Sequence, residues 1–286
     1  MVIVDSQVHV WAADRRDRPW PPPAHGLKPT PHRDVPISAA ALLADMSAAG
    51  VDRAILVPPS WEGERNDVVL EACRRHPDRY RFAARLALDD PSARDIIASW
   101  RTQPGMVALQ LTFQTPLFQK PLVDGKLDWL WAAAERAALP LTIYLPNALL
   151  PLIERAIARQ PGLNVIVNHL GLTGAARDEA AFADFDTLLR LSRHPKAAVK
   201  ASCLPFYSTD AYPYRNLHAH MRRAFDAFGP RRFFWGTDLS RMPCSYRQSV
   251  TMFTEELPWL TGADLEWVMG RGVCEWMGWD AARPNN

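Results

Sequence analysis

The stretch VDSQVHVW, residues 4–11, follows directly on an apolar run at 2–4 and sets Asp5, Gln7 and His9 in alternation. An apolar run that ends in polar residues describes a buried strand delivering side chains to a site at its C-terminal end. Residues two apart on a strand share a face, so Gln7 and His9 point together. The same signature recurs along the chain. Strand-like runs at 2–4, 53–57, 81–86, 106–112, 141–145, 163–168, 197–201 and 232–236 alternate with helix-period segments. Those segments lie at 38–49, 67–76, 92–101, 127–138, 149–160, 179–194, 217–228 and 246–256, with apolar faces such as Leu42, Met46 and Ala49.

Strand–helix alternation calls for a parallel sheet buried on both faces. Eight repeats favour closure, and no G-x-G-x-x-G follows any strand, which removes the dinucleotide-binding open sheet. The expected fold is α/β: a single (β/α)8 TIM barrel spanning 1–286 as one domain, with a C-terminal helix at 264–276 behind Thr261. Punctuation agrees. Ser38 suits an N-cap, Gly50 a C-terminal stop, and Pro91 a first helical position. One segment breaks the rhythm. Residues 11–36 contain DRPWPPPAHGLKPTPHRDVP, too rich in proline for a helix or a central strand. A loop this long after the first strand of a barrel sits at the active-site mouth, so it reads as a lid with Trp20 and His25 near the substrate.

A chain of 286 residues with 48% hydrophobic and 22% charged side chains is ordinary for a globular protein, and a net charge of +2 points neither to nucleic acid nor to a membrane surface. There is no signal-peptide pattern and no apolar run long enough to span a bilayer. Cys73, Cys203, Cys244 and Cys274 lack metal-site spacing, and a reducing cytoplasm is the simplest compartment. Cys203 and Cys244 follow strands, yet small buried apolar residues explain them more simply than nucleophiles do. The partner expected is a small molecule, with a homodimer allowed.

At the C-terminal rim of a barrel, polar strand ends are the catalytic candidates. Strand one offers Gln7 and His9, strand five Tyr144, strand six Asn168 and His169, strand seven Lys200 and Ser202, and strand eight Asp238 with Arg241 three residues on. Singly, each has a bland reading: a satisfied core histidine, a tied-back tyrosine, an aspartate capping a loop. Five strands ending in polar groups at one rim favour the functional one.

These residues carry a resemblance. D-x-Q-x-H-V-W at strand one, N-H-L-G at strand six and W-G-T-D at strand eight resemble the amidohydrolase superfamily, in its "amidohydrolase 2" branch of lactonases, other hydrolases and decarboxylases. The resemblance runs strand by strand over essentially the whole chain. It implies a divalent ion held by His-x-His on strand one, histidines ending strands five and six, and an aspartate on strand eight. Matched residue by residue, His9, His169 and Asp238 keep their places, whereas Gln7 replaces the first histidine and Tyr144 the strand-five one. The pattern is closest to the metal-independent 2-pyrone-4,6-dicarboxylate lactonases and the sugar-lactone hydrolases.

The expectation is therefore a hydrolase that opens a lactone or similar cyclic ester without a cofactor. Asp238 activates water while His9, His169 and Tyr144 polarise the carbonyl. Gln7, Gln110, Trp11, Trp20, Arg241, Tyr246 and Arg247 are expected around the substrate, with Trp61 beside them. Gln110 and Thr112 stand on strand four where relatives that bind carboxylated lactones have an arginine, and Lys200 reads as structural. One alternative is a metal-dependent hydrolase or decarboxylase using zinc on His9, His169 and Asp238. Another is a non-catalytic ligand-binding barrel.

Overall fold

The structure, a computed structural model, describes residues 1–21 and 30–280. Eight strands, β1 (Val4–Val8), β2 (Arg53–Leu56), β3 (Tyr80–Ala84), β4 (Met106–Thr112), β5 (Leu141–Tyr144), β6 (Val165–Val167), β7 (Ala197–Ala201) and β8 (Phe233–Trp235), pair in sequence order. Every pairing is parallel, from Val4 beside Arg53 through to Ala201 beside Trp235. β8 then returns to β1. Asp238 donates its backbone N–H to the Gln7 carbonyl at 2.6 Å, and Thr237 donates its N–H to Asp5 Oδ1 at 2.9 Å. This is the expected α/β TIM barrel.

The seam between β8 and β1 leaves no room for a side chain at Gly236, where a Cβ would lie 2.5 Å from Ser6 Oγ and 3.1 Å from the Gln7 nitrogen. Asp5 is buried beneath it and also accepts from Gln7 N–H and the Tyr246 hydroxyl, at 3.0 and 2.8 Å. The strands themselves are short and buried on both faces, as a parallel sheet under a ring of helices requires.

That ring comprises α1 (Ala39–Ala49), α2 (Asp67–Arg75), α3 (Ala93–Ala98), α4 (Pro116–Val123), α5 (Asp128–Arg136), α6 (Leu150–Arg159), α7 (Phe185–Arg190), α8 (Arg215–Phe228) and α9 (Tyr246–Thr254). Ser38 caps α1 by accepting from Ala41 N–H, and Gly50 ends it in the left-handed region at φ 79°. α9 starts with a capping box of Ser245 and Gln248.

Several boundaries differ from the sequence reading. β1 begins at Val4 rather than ending there, so Asp5 to Gln7 lie within the strand. Pro91 stands outside α3, because the Asp90 side chain accepts from Ser92 N–H and closes a turn first. The long helix expected at 179–194 is broken into a 3-10 turn at Asp178–Phe182, α7, and a further turn at Leu191–Arg193. The C-terminal helix is likewise interrupted: α10 (Gly262–Glu266) and α11 (Gly272–Met277) flank a π-helical stretch at Trp267–Arg271, where Gly270 lets the backbone approach the Val2 carbonyl. α4 had no counterpart in the sequence reading; Pro116 starts it and Pro121 lies inside it. No helix of the described residues is long and apolar enough to cross a membrane.

Candidate active site

Three rim residues take the left-handed backbone region that side chains disfavour: His169 at φ 55°, Cys203 at φ 59° and Asp238 at φ 56°. Such geometry costs about 1–3 kcal/mol per residue and persists where the surroundings impose it, often at functional sites. Here it turns the chain sharply after β6, β7 and β8. On the opposite side of the seam, the β1–β2 register shifts between Asp5 and Val8, and bulges of this kind re-aim side chains.

The four expected catalytic residues meet. His9 Nε2 lies 3.1 Å from Asp238 Oδ1, and His169 Nε2 lies 3.8 Å from Asp238 Oδ2. Tyr144 stands edge-on to His169, ring centres 5.1 Å apart. His9 Nδ1 donates to the Val57 carbonyl at 2.7 Å, and since a carbonyl only accepts, Nε2 is the atom offered to Asp238. His169 Nδ1 sits 2.8 Å from Ser202 Oγ. A hydroxyl can donate as well as accept, so this contact permits the His169 proton to sit on Nε2, toward Asp238.

Electrostatics separate the roles. Burial opposes ionisation of Asp238, but the imidazoles of His9, His169 and His32 outweigh it and hold the carboxyl well below the usual carboxylate range. Burial lowers His169 to about 4, so it is neutral at pH 7. Burial likewise raises the Tyr144 phenol, which stays protonated as a donor.

Gln7 and Gln110 reach the same cavity with Asn168, and their amides are held. Gln7 Oε1 accepts from the fully buried Lys200 ammonium at 2.9 Å, leaving the Gln7 N–H groups for other partners. Burial brings that ammonium down to about 7. Gln110 Oε1 accepts from Thr142 Oγ1 at 2.7 Å and from Asn168 Nδ2 at 2.9 Å. Arg241, half-buried, stacks 4.0 Å over Phe206 and completes one wall beside Tyr144.

The empty space between the cavity's walls, open solvent at the mouth included, is about 410 Å³. Trp61 belongs to its wall, as expected. Four other expected contacts lie elsewhere. Trp11 is buried behind Trp61, ring centres 5.4 Å apart. Trp20 ties its indole N–H to the Ala12 carbonyl. Tyr246 supports Asp5 at the seam, and Arg247 bonds the Ala49 carbonyl and Glu255 at the helix surface. His25 lies outside the described residues.

Two further titratable residues line the cavity without having been singled out. His32, late in the proline-rich segment, bonds Ser240 Oγ at 2.8 Å and packs edge-on to Trp61. Arg33 beside it donates to the Leu239 and Ser240 carbonyls, so this end of the segment is moored to the loop after β8. Arg85, just beyond β3, enters from the other side.

The donor set does not rebuild the family's metal shell. The Gln7 oxygen, its one ligating atom, already takes an ammonium, and Tyr144 offers a protonated phenol. Ligand atoms among the described residues gather instead as two sets, His9–His32–Asp238 and His169–Cys203–Asp238, each within 4.8 Å. Burial pushes the Cys203 thiol well up, away from the thiolate a metal needs.

Comparison with known proteins agrees with this architecture. The chain is 26% identical over 205 residues to the 4-sulfomuconolactone hydrolase of Hydrogenophaga intermedia, an alignment covering 68% of this chain and 62% of that protein. It superposes on a Pseudomonas putida protein assigned as a 2-pyrone-4,6-dicarboxylic acid hydrolase with a TM-score of 0.75, at 22% identity, covering 98% of this chain and 99% of the other. A zinc-bound amidohydrolase from Burkholderia multivorans superposes with a TM-score of 0.78 at 19% identity, covering 98% and 100%. The amidohydrolase family model Amidohydro_2 matches residues 4–284, and the chain belongs to that family.

Proposed function

We propose that this protein is a hydrolase that opens a lactone or similar cyclic ester, with Asp238 as the base and no metal in the reaction. The observation that carries the reading is the contact of Asp238, held ionised, with His9 at 3.1 Å in a cavity that Tyr144 and His169 also line. Asp238 takes a proton from water as the water oxygen bonds to the carbonyl carbon. Tyr144 O–H and His169 Nε2–H donate to the developing oxyanion; one such donor is worth about 3 kcal/mol. As the ring C–O bond breaks, the proton passes from Asp238 to the leaving oxygen. His9 takes a different part from the one its sequence position suggested: with Nδ1–H tied to the Val57 carbonyl, its Nε2 lone pair faces Asp238, so it can share the proton that Asp238 takes from water. The mooring of residues 32 and 33 to the loop after β8 supports a lid-like role for 11–36. The names of the sulfomuconolactone and pyrone-dicarboxylate hydrolases support ring opening as the reaction class.

The set His9–His32–Asp238 favours a second reading, a divalent-ion hydrolase or decarboxylase, because two imidazoles and a carboxylate suffice for zinc. Elemental analysis of the purified protein, with turnover of a lactone panel before and after chelation, separates the two. The metal-free reading expects well under one equivalent of Zn, Mn or Fe and unchanged turnover. Stoichiometric metal with activity lost on chelation and restored on re-addition would overturn it, and CO2 release in place of ring opening would identify decarboxylation.

A further inference from the structure

Arg85 carries a positive charge into the cavity and is only 7% exposed. Its place is fixed from both ends. The Asn66 side chain accepts from the Arg85 backbone N–H at 2.9 Å and donates to its carbonyl at 2.8 Å. The guanidinium donates from Nε to the Pro58 carbonyl at 2.7 Å and from Nη2 to Thr112 Oγ1 at 2.9 Å. Both partners are neutral. No carboxylate forms an ion pair with it within 4 Å among the described residues; the acidic side chain whose field reaches it is Glu64. A guanidinium has five N–H donors, so two of these bonds leave three for the cavity. Thr112 accepts from Arg85, which leaves its own hydroxyl proton free to donate to an anion at the same wall.

Burying a cation without its counter-charge costs several kcal/mol unless something completes it. We infer that Arg85 and Thr112 form an anion subsite that takes a carboxylate on the substrate ring, which narrows the ligand to a carboxylated lactone. This rests on the hydrolase reading above, in which the reacting carbonyl lies at Asp238, and it places the substrate's charge toward β3. The absence of an arginine at Gln110 is thereby met from the neighbouring strand, and a planar guanidinium edge matches a carboxylate with two parallel hydrogen bonds.

The test pairs wild-type protein with Arg85→Met and Arg85→Lys on two substrates, a carboxylated lactone and its methyl ester. Wild type is expected to prefer the free acid. Arg85→Met should lose about 100-fold more kcat/KM on the acid than on the ester, mainly through KM, with Arg85→Lys intermediate. Equal losses on both substrates, or a wild-type preference for the ester, would overturn the subsite. Binding of benzoate against benzamide, followed by calorimetry on wild-type protein and on the conservative Arg85→Lys, needs no turnover. Tighter benzoate binding, weakened in Arg85→Lys, supports the subsite even where no lactone is hydrolysed and the hydrolase reading fails. Indifference to the carboxylate refutes the subsite whatever the protein hydrolyses.

Discussion

Replacing Lys200 by methionine should make this protein more stable and less active, by an amount that depends on pH. Lys200 is wholly buried in the barrel, its ammonium spending one hydrogen bond on Gln7 Oε1. Burial lowers it from the ordinary 10.5 to about 7. The unfolded chain therefore binds more protons than the folded one between pH 7 and 10.5, and stability rises with pH across that window. Below pH 7 the penalty is complete, at about 5 kcal/mol from a shift of this size. Methionine fills similar volume without charge but leaves the buried Gln7 oxygen unpaired, at about 2 kcal/mol. The net gain is about 3 kcal/mol at pH 6. At pH 9 the remaining penalty is about 2 kcal/mol, which the unpaired oxygen cancels. Urea unfolding of both proteins at pH 6, 7.5 and 9 reads this difference directly. Gln7 would then be free to rotate its amide, and misorientation at a reacting centre can cost up to about 100-fold in turnover. A variant that is less stable at pH 6, or whose advantage does not shrink toward pH 9, would refute the account of Lys200 as a charge kept in the core for the sake of Gln7.

Asp238→Asn is expected to retain the barrel by circular dichroism and to lose about 10²–10⁴ in kcat on any lactone turned over; near-normal turnover would remove Asp238 as the base. Gly236→Ala should destabilise by at least about 2 kcal/mol in denaturant titrations, since its Cβ meets Ser6 Oγ at 2.5 Å and the Gln7 backbone at 3.1 Å. Because burial lowers His169 from 6.5 to about 4, the unfolded chain binds the extra proton between those values. Stability should fall by about 3 kcal/mol as pH drops through that window, and a His169→Gln protein should lack that part of the fall.

The barrel was legible because strand and helix periods differ and each βα unit states both. Where local signals compete, the boundaries moved. Apolar Val2 to Val4 looks like a strand on hydrophobicity alone, yet pairing with β2 starts at Val4, opposite Arg53. Asp5 and Gln7 lie in buried strand despite their polarity because Thr237, Tyr246 and Lys200 satisfy them, partners that lie some 200 residues away. No window of sequence displays that compensation. The segment at 179–194 has a helical pattern overall, but Asp178 accepts from Thr209 N–H and Oγ1 and from Asn216, and this anchoring takes the chain out of one continuous helix.

The site divides along the same line. His9, Tyr144, His169 and Asp238 could be found because a strand end in a barrel has one destination, the C-terminal rim. Arg85 follows the same rule one step beyond β3, but an arginine among many surface arginines gives no local sign of being buried; its signal is the apolar run before it, at 82–84, and the asparagine clamp reveals itself only in three dimensions. His32 is harder still. Nothing in a proline-rich loop says that His32 turns inward; that depends on Ser240 and Trp61. Aromatic residues misled for the opposite reason. Trp11 and Tyr246 are close in sequence to catalytic positions, but large apolar rings are first of all core, and both are spent on packing or on the Asp5 seam. The consequence reaches the chemistry: with those rings withdrawn and Arg85 added, the cavity is more cationic than its sequence neighbourhood implied. An Asp238 base would work there on a substrate held by charge rather than by an aromatic sandwich.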